Sequence, residues 1–289
     1  MIVLSLASKT LVLTTTANGY SQTKETGLEE DSPTIFVGRL EDDSLVQIIP
    51  SGFRHIKADK TAKTMRFEGK IIKGTVKGRQ MVIALAGGDI IYYELDQTGS
   101  LSEVTQISLD AEVVAFDFSP VEKGRVRSSF LAAALTDFTT RIFELNPESC
   151  LKNLSTQNMR SEIESIAIEE MDTTESEAEQ YGLQLFLYAG LQNGMIVRTS
   201  IDPITGKLMD SRPKYLGAKP VKLVKIEILG KPAILGLSSR PWLFYSFGRK
   251  HMASLLAFPF ISVATSIKMS TFNHTIMVFS ENHLKIIRL

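Results

Sequence analysis

The sequence predicts an all-β protein, and two observations lead to that prediction. Short runs of aliphatic and aromatic residues, bounded by turn-forming residues, recur along all 289 residues, and no segment shows the 3.6-residue apolar period of a helix. Pairs of these runs are joined by a tight turn, as in a β-hairpin, and the pairs return at intervals of 36 to 56 residues. Recurrence at such a period indicates a repeat architecture.

The clearest hairpin spans residues 81–96, where Gly87-Gly88-Asp89 separates two apolar runs. Its first run, residues 81–86, is apolar without a break, which is typical of a strand that is covered on both faces. The two alanines in this run leave room for close packing on either side. The second run ends in Tyr92, Tyr93 and Glu94, and we interpret it as a strand nearer the surface.

Seven hairpins of this kind are present, with turns near residues 8, 51, 87, 136, 192, 239 and 281. The mean spacing matches the roughly 40 to 50 residues of one four-stranded propeller blade. A further apolar run precedes most hairpins and would be the innermost strand of its blade. These runs are residues 71–76, 113–118, 163–168, 221–228 and 261–267. The sequence therefore predicts an all-β, seven-bladed β-propeller of four-stranded antiparallel blades, formed by residues 1–289 as one domain.

Two other all-β architectures explain the pattern less well. An array of β-sandwiches would not return the same hairpin seven times at a near-constant interval, and the coil of a β-solenoid is usually shorter. Stacked blades explain why the first arm of each hairpin is apolar on both faces. The common blade signatures are absent, since no Trp-Asp pair closes a blade and Trp242 is the only tryptophan.

The two ends of the chain predict incomplete first and last blades. The sequence begins on a hairpin arm at Ile2 and stops on the second arm of the seventh hairpin at Leu289, so blade one lacks its innermost strand and blade seven its outermost. Unpaired sheet edges promote aggregation, and propellers normally complete one blade with strands from both termini. We therefore expect a fragment of a larger protein whose flanking chain supplies the missing strands. The alternative is a seventh blade that closes with three strands.

The charge balance and the cysteine content limit the classes of protein that the sequence can represent. Lys plus Arg equals Asp plus Glu at 32 each, so the net charge gives no reason to expect a general affinity for nucleic acid or membranes. The single cysteine, Cys150, excludes an internal disulfide and fits a reducing compartment. The longest apolar window, residues 252–261, is well short of the roughly 18 residues that suggest a membrane span. These features predict a soluble intracellular protein.

No arrangement of residues in the sequence indicates catalysis. The four histidines are scattered over different blades without metal-ligand spacing, and Cys150 has no histidine near it in the sequence. Asp59, Asp89 and Asp137 could meet in a propeller channel, but they lie at or near hairpin turns, where Asp is favoured anyway. We predict no enzymatic activity, no cofactor and no metal site.

A local excess of basic residues is the candidate binding surface. Residues 51–79 contain nine Lys or Arg side chains against two acidic ones. Such a patch would bind RNA or an acidic partner; the alternative is a solvated outer edge on which lysines discourage strand pairing. Only Phe53 and Phe67 offer stacking platforms, which favours the second interpretation. The candidate residues, called the basic cluster below, are Arg54, Lys57, Lys60, Lys63, Arg66, Lys70 and Lys73.

A cluster of opposite charge lies in the middle of the chain. Residues 161–180 hold eight acidic residues and no basic one. We expect residues 169–180 to form a mobile loop between strands that serves solubility, with a docking tether as the alternative.

Several segments of the sequence carry a resemblance to a known family. They are residues 44–48, 54–60, 81–96, 191–199, 202–208, Arg212, 215–223 and 237–245. These segments are similar to the middle propeller of the splicing factor 3b subunit 3 family, and the resemblance covers essentially all 289 residues. The wider superfamily includes the large damaged-DNA-binding adaptor of cullin ubiquitin ligases and the largest subunit of the cleavage and polyadenylation factor. Pro241 and Phe244 resemble the adaptor more than the splicing subunit.

The resemblance implies a non-enzymatic scaffold in the nucleus that acts in pre-mRNA splicing. Family members are longer, with three seven-bladed propellers and a helical C-terminal part. Their first and third propellers grip a HEAT-repeat subunit and a small helical subunit of the splicing factor 3b complex, part of the U2 small nuclear ribonucleoprotein that supports branch-site recognition. The middle propeller, which this chain resembles, projects outward and need not touch RNA.

Three functional hypotheses follow from these observations. The first is an interaction scaffold in pre-mRNA splicing. The second, implied by the wider superfamily, is an adaptor propeller of a cullin ubiquitin ligase or of the cleavage and polyadenylation factor. The third is direct RNA binding through the basic cluster within residues 51–79.

Overall fold

The computed structural model describes residues 2–16, 19–23, 26–172, 184–267, 275–280 and 283–288. The chain is an all-β seven-bladed propeller, and 26 strands make up the blades in the described residues. Consecutive strands pair in chain order, so each blade is an antiparallel meander. Five blades have four strands, and the first and last sheets have three. The predicted fold class is therefore confirmed, including the incomplete first and last blades.

The chain divides into two compact units, which are described separately. The first is Met1–Ser129 with Leu145–Leu151, and the second is Phe130–Glu144 with Lys152–Leu289. The strands of the first unit are β1 (Ile2–Ser5), β2 (Thr10–Thr16), β3 (Gly19–Gln22), β4 (Phe36–Arg39), β5 (Leu45–Ile49), β6 (Gly52–Ile56), β7 (Ala62–Arg66), β8 (Ile71–Lys77), β9 (Gln80–Leu85), β10 (Asp89–Leu95), β11 (Leu101–Ser108) and β12 (Val113–Phe118).

The second unit holds the remaining strands. These are β13 (Phe130–Leu135), β14 (Thr139–Glu144), β15 (Asn153–Asn158), β16 (Ile163–Met171), β17 (Gln184–Leu191), β18 (Met195–Ile201), β19 (Leu208–Tyr215), β20 (Lys222–Ile228), β21 (Lys231–Leu237), β22 (Pro241–Phe247), β23 (Lys250–Leu255), β24 (Val263–Ile267), β25 (Thr275–Ser280) and β26 (His283–Arg288). Blade 1 is β1–β3, blade 2 is β4–β7, blade 3 is β8–β11, blade 4 is β12–β15, blade 5 is β16–β19, blade 6 is β20–β23 and blade 7 is β24–β26.

The runs predicted as innermost strands are the first strands of their blades. They form β8, β12, β16, β20 and β24, and within the second unit β16 contacts β20, which in turn contacts β24. The first strand of blade 2, β4, was not predicted, because its four residues include Gly38 and are too few to show a pattern. A Cβ on Gly38 would lie 2.7 Å from Val76 Cβ of β8, so the glycine allows these two strands to approach closely.

The core of the first unit lies between blades 2 and 3. Ile48 of β5 packs in one buried cluster with Met81 and Ile83 of β9. Residues 80–84 of β9 have no exposed surface at all. The prediction that this run is covered on both faces is therefore confirmed, and it follows from stacking of a central strand between neighbouring sheets.

The tyrosines of β10 correct one interpretation of the sequence. Tyr92 and Tyr93 are buried rather than near the surface, because β10 is the third of four strands and β11 covers its outer side. The Tyr92 hydroxyl accepts from Gln80 Nε2 at 2.8 Å and donates to Glu94 Oε1 at 2.7 Å, which satisfies this buried polar group. Burial raises the pKa of both phenols.

Aspartates at the hairpin turns have a structural role. Asp59 Oδ1 accepts from the backbone N–H of Thr61 at 2.9 Å and from its hydroxyl at 2.6 Å. Asp137 makes the same pair of bonds to Thr139. The hydroxyl of Thr61 lowers the pKa of Asp59, so the carboxylate is held in its charged form as a turn cap.

Two sequence predictions fall partly outside the described residues. The seventh turn, near residue 281, is outside them, although β25 and β26 on either side pair as an antiparallel hairpin. The first three residues of the loop predicted at residues 169–180 belong instead to β16, which continues to Met171. Residues 173–180 also lie outside the described part of the chain.

Candidate interaction surfaces

The basic cluster divides between blades 2 and 3. Five of its members lie on the two outer strands of blade 2 or in the turn that joins them, and two lie at the first strand of blade 3. In chain order, Arg54 is on β6, Lys57 and Lys60 are in the turn, Lys63 and Arg66 are on β7, Lys70 precedes β8, and Lys73 is on β8.

The carboxylate of Glu29 in the same chain binds two of these cations. Arg66 Nη2 lies 2.8 Å from Glu29 Oε2, and Arg54 Nη1 lies 3.9 Å from the same oxygen. The backbone of Glu29 is held in turn by buried Gln47, which accepts from its N–H at 2.7 Å and donates to its carbonyl at 2.9 Å. Glu29 thus neutralises part of the positive charge that residues 51–79 carry in the sequence.

The remaining cations of blade 2 are exposed on an edge. Lys57, Lys60 and Lys63 are all exposed, and β7 pairs with β6 alone among the described strands. Phe53 is only 2% exposed and packs edge-on against Tyr93 with ring centroids 5.3 Å apart, so it is a core residue and no platform for bases. This geometry is that of an outer edge protected by lysines.

Three turns of the second unit carry exposed apolar side chains. Ile204 is 89% exposed, Leu229 is 81% exposed and Phe247 is 73% exposed, the highest values among the described large hydrophobic residues. Leu229 also has a φ of 50°, a conformation that costs a leucine free energy. The side chains of these three residues therefore lie largely outside the core of the second unit.

These three apolar turns lie at the same end of blades 5 and 6. In a four-stranded meander, the turn between strands one and two and the turn between strands three and four are at one end. Leu229 lies between β20 and β21, Phe247 ends β22, and Ile204 lies between β18 and β19. An ion pair of 3.4 Å between Lys231 and Asp172 shows that the corresponding ends of the two blades are adjacent. We call these residues the apolar turns.

A cavity of about 150 Å³ lies between blades 5 and 6. Residues of β18 and β19 form one side, and residues of β22 and β23 form the other. Three cationic side chains line it, and no described lining residue carries a negative charge. The lining residues that matter below are Tyr188, Ile196, Arg198, Arg212, Pro213, Lys214, Phe244, His251 and Ala253.

Strand register places two arginines of the cavity side by side. Arg198 is directly opposite Arg212 across the β18–β19 pair, an arrangement that is unfavourable for like charges. Arg198 is only 9% exposed, and its guanidinium lies 4.8 Å from the centre of the Phe186 ring. Arg212 forms an ion pair of 2.9 Å with Asp210, which lies outside the cavity wall.

An uncharged histidine completes the cavity wall. His251 Nε2 lies 2.8 Å from the hydroxyl of Tyr188, and the imidazole packs among the rings of Phe186, Tyr188 and Phe244. Burial, and then the charges of Arg198 and Arg212, lower the pKa of His251 to about 3. At neutral pH the positive charge of the cavity therefore comes from its arginines and lysine.

Sequence reasoning missed this cavity for a clear reason. Its walls combine residues from 188 to 253, so no local window of the sequence shows the excess of positive charge. The one available signal was Arg198, a charged residue within the apolar run of β18. Buried arginines in central strands are rare enough to mark a site worth inspecting.

No group of three or more His, Cys, Asp or Glu side chains among the described residues is arranged to hold a metal ion. The described part of the chain also has no helix that is long and apolar enough to cross a membrane.

Comparisons with known proteins agree with this architecture. The whole chain, residues 1–289, matches the family described as the RSE1/DDB1/CPSF1 second β-propeller. It is 39% identical to splicing factor 3B subunit 3 of Danio rerio, over 100% of this chain and 24% of that protein. It is 41% identical to spliceosome-associated protein 130 A of Arabidopsis thaliana, over 88% of this chain and 21% of that protein. It is 39% identical to pre-mRNA-splicing factor rse1 of Emericella nidulans, over 85% of this chain and 20% of that protein.

The fold is an all-β seven-bladed propeller, and some of its described turns and edges carry exposed apolar or basic side chains. The chain belongs to the RSE1/DDB1/CPSF1 second β-propeller family, and its relatives are named as splicing factors. It spans about a quarter or less of the length of these relatives. The resemblance predicted from the sequence is therefore confirmed.

Proposed function

We propose that the chain is a non-enzymatic interaction scaffold in pre-mRNA splicing. It acts in the nucleus as the second propeller of a three-propeller subunit of the splicing factor 3b complex, within the U2 small nuclear ribonucleoprotein that supports branch-site recognition. The observation that carries this proposal is the 39% identity with splicing factor 3B subunit 3 across the entire chain. Through the full-length parent, its partners in that complex are the HEAT-repeat subunit and the small helical subunit.

The apolar turns support a role in binding other proteins. Two of them, at Leu229 and Phe247, belong to one blade and lie about 10 Å apart, because two strand spacings separate them. Together with Ile204 they form a row of apolar contacts on a rigid sheet framework. Large exposed apolar side chains of this kind typically become buried in the centre of a protein interface.

Affinity purification from nuclear extract tests the proposal. We expect the tagged full-length parent of this chain to recover the HEAT-repeat subunit of the splicing factor 3b complex. Recovery of a cullin, or of cleavage and polyadenylation subunits, would instead assign the chain to another branch of its superfamily. The triple variant Ile204→Ser, Leu229→Asn and Phe247→Ser should reduce the recovery of bound proteins. A variant with Val104→Ser and Val126→Ser, at exposed valines of the first unit, is the matched control.

Direct RNA binding through the basic cluster is the competing hypothesis. Lys57, Lys60 and Lys63 are the members to change, because Arg54 and Arg66 bind Glu29 and their loss would disturb the fold. We expect charge reversal of the three lysines to leave ultraviolet crosslinking to RNA at the level of a control with Lys9, Lys123 and Lys152 reversed. A selective loss of crosslinking in the first variant would favour RNA binding over the protein scaffold.

A further inference from the structure

The cavity between blades 5 and 6 has the electrostatic character of an anion site. Arg198, Arg212 and Lys214 bring three positive charges to a space of about 150 Å³. Two arginines opposed across a strand pair repel each other. An anion in the cavity would add to the relief that Asp210 gives Arg212 from outside the cavity wall, 2.9 Å away. A concave wall of one charge sign with apolar surroundings also concentrates the field that attracts such an anion.

The apolar part of the wall narrows the chemical class of the ligand. Ile196, Pro213, Phe244 and Ala253 line the same space as the cations. A free inorganic anion would leave these groups without a complementary surface, whereas an acidic side chain brings methylene groups as well as charge. The volume fits one such side chain, and a guanidinium matches a planar carboxylate with two parallel hydrogen bonds.

We propose that this cavity binds the carboxylate of a glutamate or aspartate side chain on a protein partner. Arg212 and Lys214 on the exposed strand β19 meet the incoming side chain first, and Arg198 lies behind them at the inner wall. The stem of the side chain packs on exposed Pro213 and reaches towards buried Phe244 in the wall. The inference deepens the proposed scaffold role by naming the chemistry of one contact, and it rests on that role for its partner.

Butyrate is a suitable probe, because its carboxylate and aliphatic stem match a glutamate side chain. We would titrate the isotopically labelled chain with butyrate and with its neutral isostere butyramide, and follow the ring signals of His251 and the side-chain signals of Arg198 by NMR. Butyrate should give saturable shifts of both residues, and butyramide should not. An anion beside the imidazole should also raise the pKa of His251 from its low value.

Matched variants connect the binding to the cavity. Arg212→Gln combined with Lys214→Gln should weaken butyrate binding by about tenfold or more, as expected for charge-assisted hydrogen bonds. Lys222→Gln combined with Arg240→Gln removes the same charges at exposed positions outside the cavity and should have no effect. Arg198 is left in place, because its guanidinium packs on Phe186 and its loss would disturb the core.

Three results would overturn the inference. Equal shifts with butyramide would show that no anion is recognised, and unchanged affinity in the Arg212 and Lys214 variant would place binding elsewhere. Inorganic phosphate that binds at least tenfold tighter than butyrate would identify a phosphate-bearing partner instead of an acidic side chain. None of these outcomes bears on the purification from nuclear extract, so the failure of this inference and the failure of the proposed function are distinguishable.

Discussion

His251 should make the stability of the chain depend on pH in a defined window. Its pKa falls from 6.5 to about 3 on folding, because the imidazole is buried among aromatic rings and faces cations. The titratable and charged groups that face the imidazole are Tyr188 on β17, Arg198 on β18, and Arg212 and Lys214 on β19. Between these two pKa values the unfolded state binds a proton that the folded state does not, so stability is lost as the pH falls from about 6.5 towards 3.

The size of this effect follows from the two pKa values. Between about pH 7 and pH 5 the unfolded imidazole becomes charged while the folded one stays neutral, which costs about 2 kcal/mol of folding free energy. The ring is only partly buried, and solvent screening reduces this to between about 1 and 2 kcal/mol. The imidazole of the folded chain is half protonated near pH 3 and becomes fully protonated only at lower pH.

The variant His251→Gln isolates this contribution. A glutamine amide can replace the hydrogen bond of Nε2 to the Tyr188 hydroxyl, but it takes up no proton. Urea unfolding at about pH 7 and pH 5, followed by the fluorescence of Trp242 in β22, gives the free energy of unfolding for both proteins. His55, whose pKa is also lowered by burial, is present in both and cancels in the comparison.

We expect the wild-type chain to lose about 1 to 2 kcal/mol more than the variant between these two pH values. If both lose the same free energy, or if NMR shows that His251 titrates near 6.5 in the folded chain, the imidazole does not face the cations as described and the account of the cavity is wrong.

Further predictions concern the turns and the buried polar groups. Gly194→Ala should destabilise the chain by more than about 2 kcal/mol, because φ is 82° and the new Cβ would clash with the carbonyl oxygen of Gly217. Gly87→Ala has open space around it and should cost only the backbone strain. Gln80→Ala should cost about 2 to 4 kcal/mol by chemical denaturation, because the buried amide bonds both backbone groups of Ser128, while exposed Gln106→Ala should cost little. Asp96→Asn should remove a loss of stability that the wild type shows below about pH 4, because hydrogen bonds from Thr98 and Ser100 lower the pKa of Asp96 to about 2; equal acid unfolding midpoints would contradict this.

The repeated hairpin was predictable from the sequence because its causes are local. Uninterrupted apolar runs, such as residues 81–85, indicate strands buried on both faces, and the turns carry residues with specific backbone roles. The structure adds a signal that the sequence analysis had not used. An Asp two residues before a Ser or Thr caps the turns at Asp42, Asp59, Asp96 and Asp137 through the same pair of hydrogen bonds.

The errors arose where long-range contacts decide the outcome. Tyr92 is a residue type that suggests a strand near the surface. It can be buried because Gln80 and Glu94 provide hydrogen-bond partners for its hydroxyl. The charge of the basic cluster is reduced by Glu29, which lies 37 residues before Arg66 and outside the sequence window. Pairings of this kind depend on the order in which strands meet, which the residue pattern of one segment does not contain.

Buried strands and exposed turns of the described chain should respond differently to substitution. The buried strands, such as β9 and β13, determine the stacking of the blades, and substitutions there would cost core packing free energy. Ile204, Leu229 and Phe247 contribute almost nothing to that packing, since most of their surface is exposed. Substitutions at these turns, and at Arg212 and Lys214 beside the cavity, should therefore change binding while the free energy of unfolding stays within about 0.5 kcal/mol. A loss of binding in such variants accompanied by unfolding would show instead that the turns belong to the framework.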